Sequence, residues 1–161
     1  MDPTLVERAA VAGHLLADRG ETISVSESAS GGLINAALLA VPGASAYMVG
    51  GAVVYTMVVR REFLGDAVPM PAKMRGATEE FARWQAQAVR LRLETTWGLS
   101  ETGAAGPGGN PYGDPSGHGW AGLAGPATTT TRIIGTGSEG RVANMTAFAI
   151  NAIDLLVDHL T

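Results

Sequence analysis

The stretch Ser24-Val25-Ser26-Glu27-Ser28-Ala29-Ser30-Gly31-Gly32 decides how this chain is read. Polar residues alternate with Ile23 and Val25 through residues 22–26, the period of two that marks a short strand. Two glycines then break the pattern. An apolar run, residues 33–41, follows at helical length until Pro42-Gly43 stops it. Strand, glycine turn and helix, in that order, open an α/β unit. Backbone N–H groups at such a turn point away from the helix start, where anions are favoured. Ser28 therefore has three readings: a nucleophile, part of an anion-binding turn, or the polar cap of a helix. Serine ahead of a helix is most often a cap, and Glu27 reads as a surface acid. The residues alone leave these alternatives open.

The rest of the chain extends the pattern. Asp2-Pro3 is an N-cap followed by proline at the first helical position. Leu5, Val6, Ala9, Ala10, Leu15 and Leu16 then recur at near-helical spacing, which predicts a helix over residues 3–19. A β-branched and aromatic stretch, residues 46–56, predicts a strand, with Tyr55 as a core aromatic whose hydroxyl lies at the edge. Residues 60–64 read as a short helix and the proline-bearing residues 68–72 as a loop. Thr78 caps a helix that runs to about Leu93 and places Phe81, Trp84, Ala88 and Leu91 on one face. Strands are predicted over residues 95–102, 118–124 and 129–134. A final helix over 138–160 carries Val142, Met145, Phe148, Ala149, Ile153 and Leu156. Alternating elements followed by two adjacent strands predict an α/β sandwich with a mixed sheet.

A second glycine turn follows the strand over 95–102. Thr102-Gly103-Ala104-Ala105-Gly106-Pro107-Gly108-Gly109 opens a region in which nine of 23 residues, 103–125, are glycine. That density calls for unusual backbone angles or close approach to another group. Ligands of α/β sheets gather outside the carboxyl ends of strands, so two such turns at one edge would make a phosphate or oxyanion site. Neither turn carries the Gly-Lys-Ser/Thr ending of a P-loop, and no Gly-x-Ser-x-Gly elbow is present. His118, after the glycine loop, is a candidate base or a structural histidine.

Composition narrows the class. With 161 residues, the chain is read as a single domain, 1–161, long enough to bury a sizeable core. Apolar residues make up 46% and charged residues 16%, a globular balance. The apolar runs fall short of a membrane span of about 18 residues, and Asp2 stands where a signal peptide needs a base. A soluble, cytoplasmic protein is expected. The absence of cysteine excludes disulfides and thiolate chemistry. No cluster has metal-ligand spacing, and a net charge of −4 argues against nucleic acid. Ten of the eleven basic residues are arginine, and Lys73 is the sole lysine.

These segments together resemble a known family. Glu-Ser-Ala-Ser-Gly-Gly at residues 27–32 is similar to the Glu-Ser-Cys-Thr-Gly-Gly signature of the C-terminal domain of the competence-damage-inducible protein CinA. The resemblance continues through Val41-Pro42-Gly43-Ala44-Ser45-Ala46, Gly51-Ala52-Val53-Val54-Tyr55-Thr56 and Phe63-Leu64-Gly65. It resumes at Gly76-Ala77-Thr78-Glu79-Glu80, at residues 102–109, and at Gly119-Trp120-Ala121-Gly122-Leu123-Ala124. It implies a three-layer α/β/α sandwich, a homodimer or higher homo-oligomer, and a small nucleotide or other anionic substrate, with no cofactor. The family includes deamidases that convert nicotinamide mononucleotide and water to nicotinic acid mononucleotide and ammonia. By that resemblance Ser28 is the nucleophile, with Tyr55 and Arg60 beside it. Glu27, Ser30, Gly31, Gly32, Gly103, Gly106, Gly108, Gly109 and His118 would form the substrate site, its backbone amides holding an oxyanion or phosphate.

The chain also departs from the pattern. In the deamidases a lysine, a few residues beyond the strand that ends in tyrosine, takes the proton from the serine. Here Arg60 stands at that position and Arg61 follows. Arginine stays protonated and cannot act as the base. A pair of arginines on the final helix is replaced by Val142-Ala143, leaving Arg141 as the nearest charge. The loop over residues 110–118 is elaborated beyond what a deamidase needs. Two functions follow as expectations: an amide hydrolase acting through Ser28, with His118 or Glu101 as a recruited base, or a member of the fold that binds a nucleotide or other small anion without turnover.

Overall fold

A mixed five-stranded sheet in the order β2-β1-β3-β4-β5 organises the chain. The computed structural model describes residues 1–65 and 67–161. Helix α1 (Pro3–Arg19) leads into β1 (Ile23–Glu27) and α2 (Leu33–Leu39). A single 3-10 turn (Ala44–Ala46), β2 (Met48–Val53), α3 (Met57–Leu64) and α4 (Glu79–Leu93) follow. Strands β3 (Trp97–Gly103), β4 (His118–Ala124) and β5 (Thr129–Gly135) precede α5 (Arg141–Leu160). Strands β1, β2 and β3 are parallel; β4 and β5 return antiparallel. Helices α1, α2 and α5 cover one face of the sheet and α4, with α3 beside it, the other. The expected three-layer α/β/α sandwich is the fold.

Local chemistry explains the boundaries. The Asp2 carboxylate accepts from the Leu5 N–H at 3.2 Å, and Gly20, at φ 62°, ends α1 in the left-handed conformation. The Thr78 hydroxyl caps α4 by accepting from Phe81 N–H at 3.3 Å. Helix α3 begins three residues before the expected start, because Thr56 serves as its N-cap. Helix α5 begins later than expected, at Arg141, and α2 ends at Leu39.

Strand β1 is buried on both sides, although its alternating pattern would suit a strand with one wet face. Ile23 and Val25 join the core under α1, α2 and α5. Ser24 and Ser26 face α4 and are satisfied there: Ser24 Oγ lies 2.7 Å from Thr95 Oγ1, and Gln85 Nε2 donates to Ser26 Oγ at 2.8 Å. Small residues on this face let α4 approach closely. A side chain at Gly98 or Gly122 would strike the α4 carbonyls of Ala86 or Ala82. On α4 the buried stripe includes Phe81, Trp84, Ala88 and Val89, whereas Leu91 is exposed. Val6 and Val142 are likewise exposed, since the turns carrying them lie outside the packed stripes of their helices. Among the described residues, no helix is long and apolar enough to cross a membrane.

Candidate functional site

Parallel pairing carries three chain segments to one edge. Ser26 lies beside Ser100 and Glu27 beside Val53. The turn after β1, the residues after β2 and the loop after β3 therefore emerge together at the carboxyl ends of the strands. A cleft of about 390 Å³ opens there, lined by Ser28, Tyr55, Arg60, Thr102, Asn110 and Tyr112 among others. A neighbouring hollow of about 240 Å³ shares Tyr55, Gly103 and Asn110 with it and adds Ala29, Ala105, Gly106, Gly108, Gly109 and Arg141.

The first glycine turn is fastened by two buried carboxyl groups. Glu27, fully buried rather than on the surface, accepts five hydrogen bonds. They come from Ser30 Oγ, from the N–H groups of Gly32, Ile34 and Asn35, and from Asn35 Nδ2 at 2.6 Å. Glu101 reaches the same turn from β3, and its Oε2 accepts from Ser28 N–H at 3.1 Å, Ser30 N–H at 2.8 Å and Ser30 Oγ at 2.7 Å. The amides of Ser30 and Gly32 are thus occupied by the protein's own acids, and that of Gly31 by the Ser28 carbonyl at 3.3 Å. Glu27, Ser30, Gly31 and Gly32 line neither hollow.

Ser30 Oγ has one proton and lies 2.6 Å from Glu27 Oε2 and 2.7 Å from Glu101 Oε2. Two such short contacts need a second proton between the three oxygens. Of the two carboxyls, Glu101 is the one raised toward holding it. Burial pushes its carboxyl up to about 7, neighbouring Glu27 adds to the rise, and the bonds from Ser30 and Ser28 only partly oppose it. Its Oε1 is buried and has no partner, another sign that the full charge does not reside there.

The second glycine turn is arranged differently. The Gly108 N–H donates to Glu139 Oε2 at 2.7 Å. Among the described residues, no acceptor meets the N–H groups of Ala105, Gly106 or Gly109, nor that of Ala29 across the hollow. Arg141 donates to the Gly106 carbonyl at 2.7 Å and lies 3.5 Å from the Tyr55 hydroxyl. Tyr55 is more than half exposed and stands over the cleft, not in the core, because the chain leaves the sheet at Val53 before turning into α3.

Ser28 lines the cleft. Its hydroxyl makes no hydrogen bond with any described residue. Arg60 shares the cleft, yet its Nε donates to the Val54 carbonyl at 3.1 Å and its guanidinium lies 4.5 Å above the Phe81 ring. Partial burial lowers its pKa, and an arginine still keeps its proton. Glu101 touches Ser28 only through the backbone amide. The His118 ring lies outside the cleft lining, its Nε2 3.1 Å from the Ala77 carbonyl and 4.0 Å from Asp114. Neither the Glu101 carboxyl nor the His118 ring hydrogen-bonds the Ser28 hydroxyl. Sequence reasoning missed the lining residues Tyr112 and Asn110 and the role of Glu101 as a clamp. An acid inside the apolar strand Trp97–Gly103 was the available signal.

These features define an α/β/α sandwich with an anion-suited cleft at its carboxyl edge. Comparison with known proteins gives the family. The sequence model of the CinA C-terminal domain matches residues 6–160, and the chain belongs to that family. A CinA-like protein of Cyanothece sp. is 46% identical over 119 residues, covering 74% of this chain and 28% of that protein. One from Myxococcus xanthus is 39% identical over 154 residues, covering 94% of this chain and 36% of that protein. The chain thus spans about a third of the length of these relatives. A competence/damage inducible protein from Agrobacterium tumefaciens superposes with a TM-score of 0.89 at 25% identity, covering 98% of this chain and 96% of that one. A CinA superfamily protein from Klebsiella pneumoniae gives the same TM-score at 21% identity, covering 97% of both chains.

Proposed function

We propose that this protein binds a small anionic molecule, a mononucleotide by the family resemblance, in the cleft beside Ser28 and does not hydrolyse it through that serine. The observation that carries this reading is the pairing of free donors with a missing base. Free amides on Ala29, Ala105, Gly106 and Gly109, with Arg60 and Arg141 nearby, suit a phosphate or carboxylate. The Ser28 hydroxyl has no group to remove its proton, and an unactivated serine is a weak nucleophile. The reading needs no metal or cofactor. A cytoplasmic homodimer or higher homo-oligomer belongs to the same proposal and would show as a multiple of 16.5 kDa in size-exclusion chromatography with light scattering.

One observation favours hydrolysis of the nicotinamide mononucleotide carboxamide instead. The free amide of Ala29 immediately follows Ser28 and would be an oxyanion donor for a serine that had a base. Ammonia release from nicotinamide mononucleotide separates the two readings. The natural chain should bind the compound in calorimetry and release no ammonia above Ser28→Ala, and Arg60→Lys should gain release that Ser28→Ala abolishes. Turnover by the natural chain, lost in Ser28→Ala, would overturn the binding reading.

A further inference from the structure

We propose that Tyr112 is the stacking platform on which the ring of the ligand in this cleft is held. The inference rests on the anion-binding reading of the cleft. Tyr112 is 64% exposed, so no core packing holds it. A local polar scaffold does. Asn110 Oδ1 accepts from the N–H groups of Tyr112 at 3.0 Å and Asp114 at 3.1 Å, while its Nδ2 donates to Asp114 Oδ2 at 2.7 Å. Asp114 pairs with Arg75, from the segment ahead of α4. The Arg75 guanidinium lies 5.0 Å from the centre of the Tyr112 ring, over its face.

Arg75 does not line the cleft, and Tyr112 does. The cation therefore backs the ring and leaves the rest of it to the cleft. The exposed ring of Tyr55 lines the same space, as does Arg60, the charge for the anion. A bare phosphate would use only the cations and amides. Two exposed tyrosine rings around them suit a ligand with a π-face, since aromatic stacking is worth most when the platform is already held in place. The competing role for Tyr112 is structural, shielding the Arg75–Asp114 pair from water.

Calorimetry with the full chain and three probes tests this: nicotinamide mononucleotide, adenosine 5′-monophosphate and ribose 5-phosphate. The two ring-bearing compounds should bind about tenfold more tightly than ribose 5-phosphate. Tyr112→Ala should remove that preference and leave ribose 5-phosphate affinity unchanged, while Tyr112→Phe retains it. Thermal melts of both variants check that they fold. A preference that survives Tyr112→Ala, or an equal loss for all three probes, would overturn the platform and assign Tyr112 the shielding role. If ribose 5-phosphate binds and the rings add nothing, the platform falls and the anion site stands. If none of the three binds, both fall.

Discussion

The two glycine turns lie at the same sheet edge yet bind their amides in opposite ways. Between Glu27 and Gly32 the amides of Ser28, Ser30, Gly31 and Gly32 are accepted by Glu27, Glu101 and the turn's own carbonyl, and only that of Ala29 is left over. Between Gly103 and Gly109 the amides of Ala105, Gly106 and Gly109 meet no acceptor among the described residues. A strand–glycine–helix turn is a ready anion site, but here the first turn already has its anion, a carboxylate of the protein itself. Most of the amides left without an acceptor belong to the second turn. Glycine content alone does not separate the two, because glycine reports backbone freedom and not which acceptor the freed amides find.

Breaking the first clamp should have the largest effect. Glu27→Ala would leave several buried donors unpaired at once, a loss of about 3–5 kcal/mol of stability or outright failure to fold, measured by urea denaturation. Ligand binding would be lost with it, because the turn that places Ser28 and Ala29 depends on that carboxylate.

Glu101 gives the next effect, one of pH. Its folded-state pKa is raised to about 7, above the unfolded value, so the folded state holds its proton more tightly than the unfolded chain does. The stabilisation is complete below the unfolded pKa and is lost as pH rises through about 7. Unfolding free energy should accordingly fall by roughly 1 kcal/mol per pH unit between about pH 5 and 7. Glu101→Gln, which cannot ionise, should flatten that slope. A slope unchanged in the variant would assign the titration to another group.

Asp114→Ala should act least on stability. It removes a partly exposed ion pair with Arg75 and the contacts to Asn110, a cost of about 1 kcal/mol. Its effect should fall on ligand affinity, through the loop that carries Tyr112. A large destabilisation by Asp114→Ala, comparable to Glu27→Ala, would erase the energetic contrast between the buried turn and the wet loop.

Much of this was legible in the chain. The strand–glycine–helix order at residues 23–39, the capped helix after Thr78 and the second glycine turn all follow from short-range rules; parallel pairing then brings both turns to one edge. Other features were not legible because they depend on what packs against them. The alternation in β1 does not say that α4 covers Ser24 and Ser26. Tyr55 reads as core by composition and stands in solvent because the chain leaves the sheet just before it. Leu91 reads as core by period, but the buried arc of α4 ends short of it.

The sequence by itself determined the α/β architecture, the family and the identity of the residue where a lysine base would stand, since periodicity, capping and motif order are local properties. Only the tertiary structure decided which amides meet no acceptor, that Glu27 and Glu101 both meet the Ser30 hydroxyl, and that no side chain hydrogen-bonds the Ser28 hydroxyl. The clamp from β3 depends on groups 71 residues apart meeting within hydrogen-bond distance, as Ser30 and Glu101 do. No local pattern encodes such a distance.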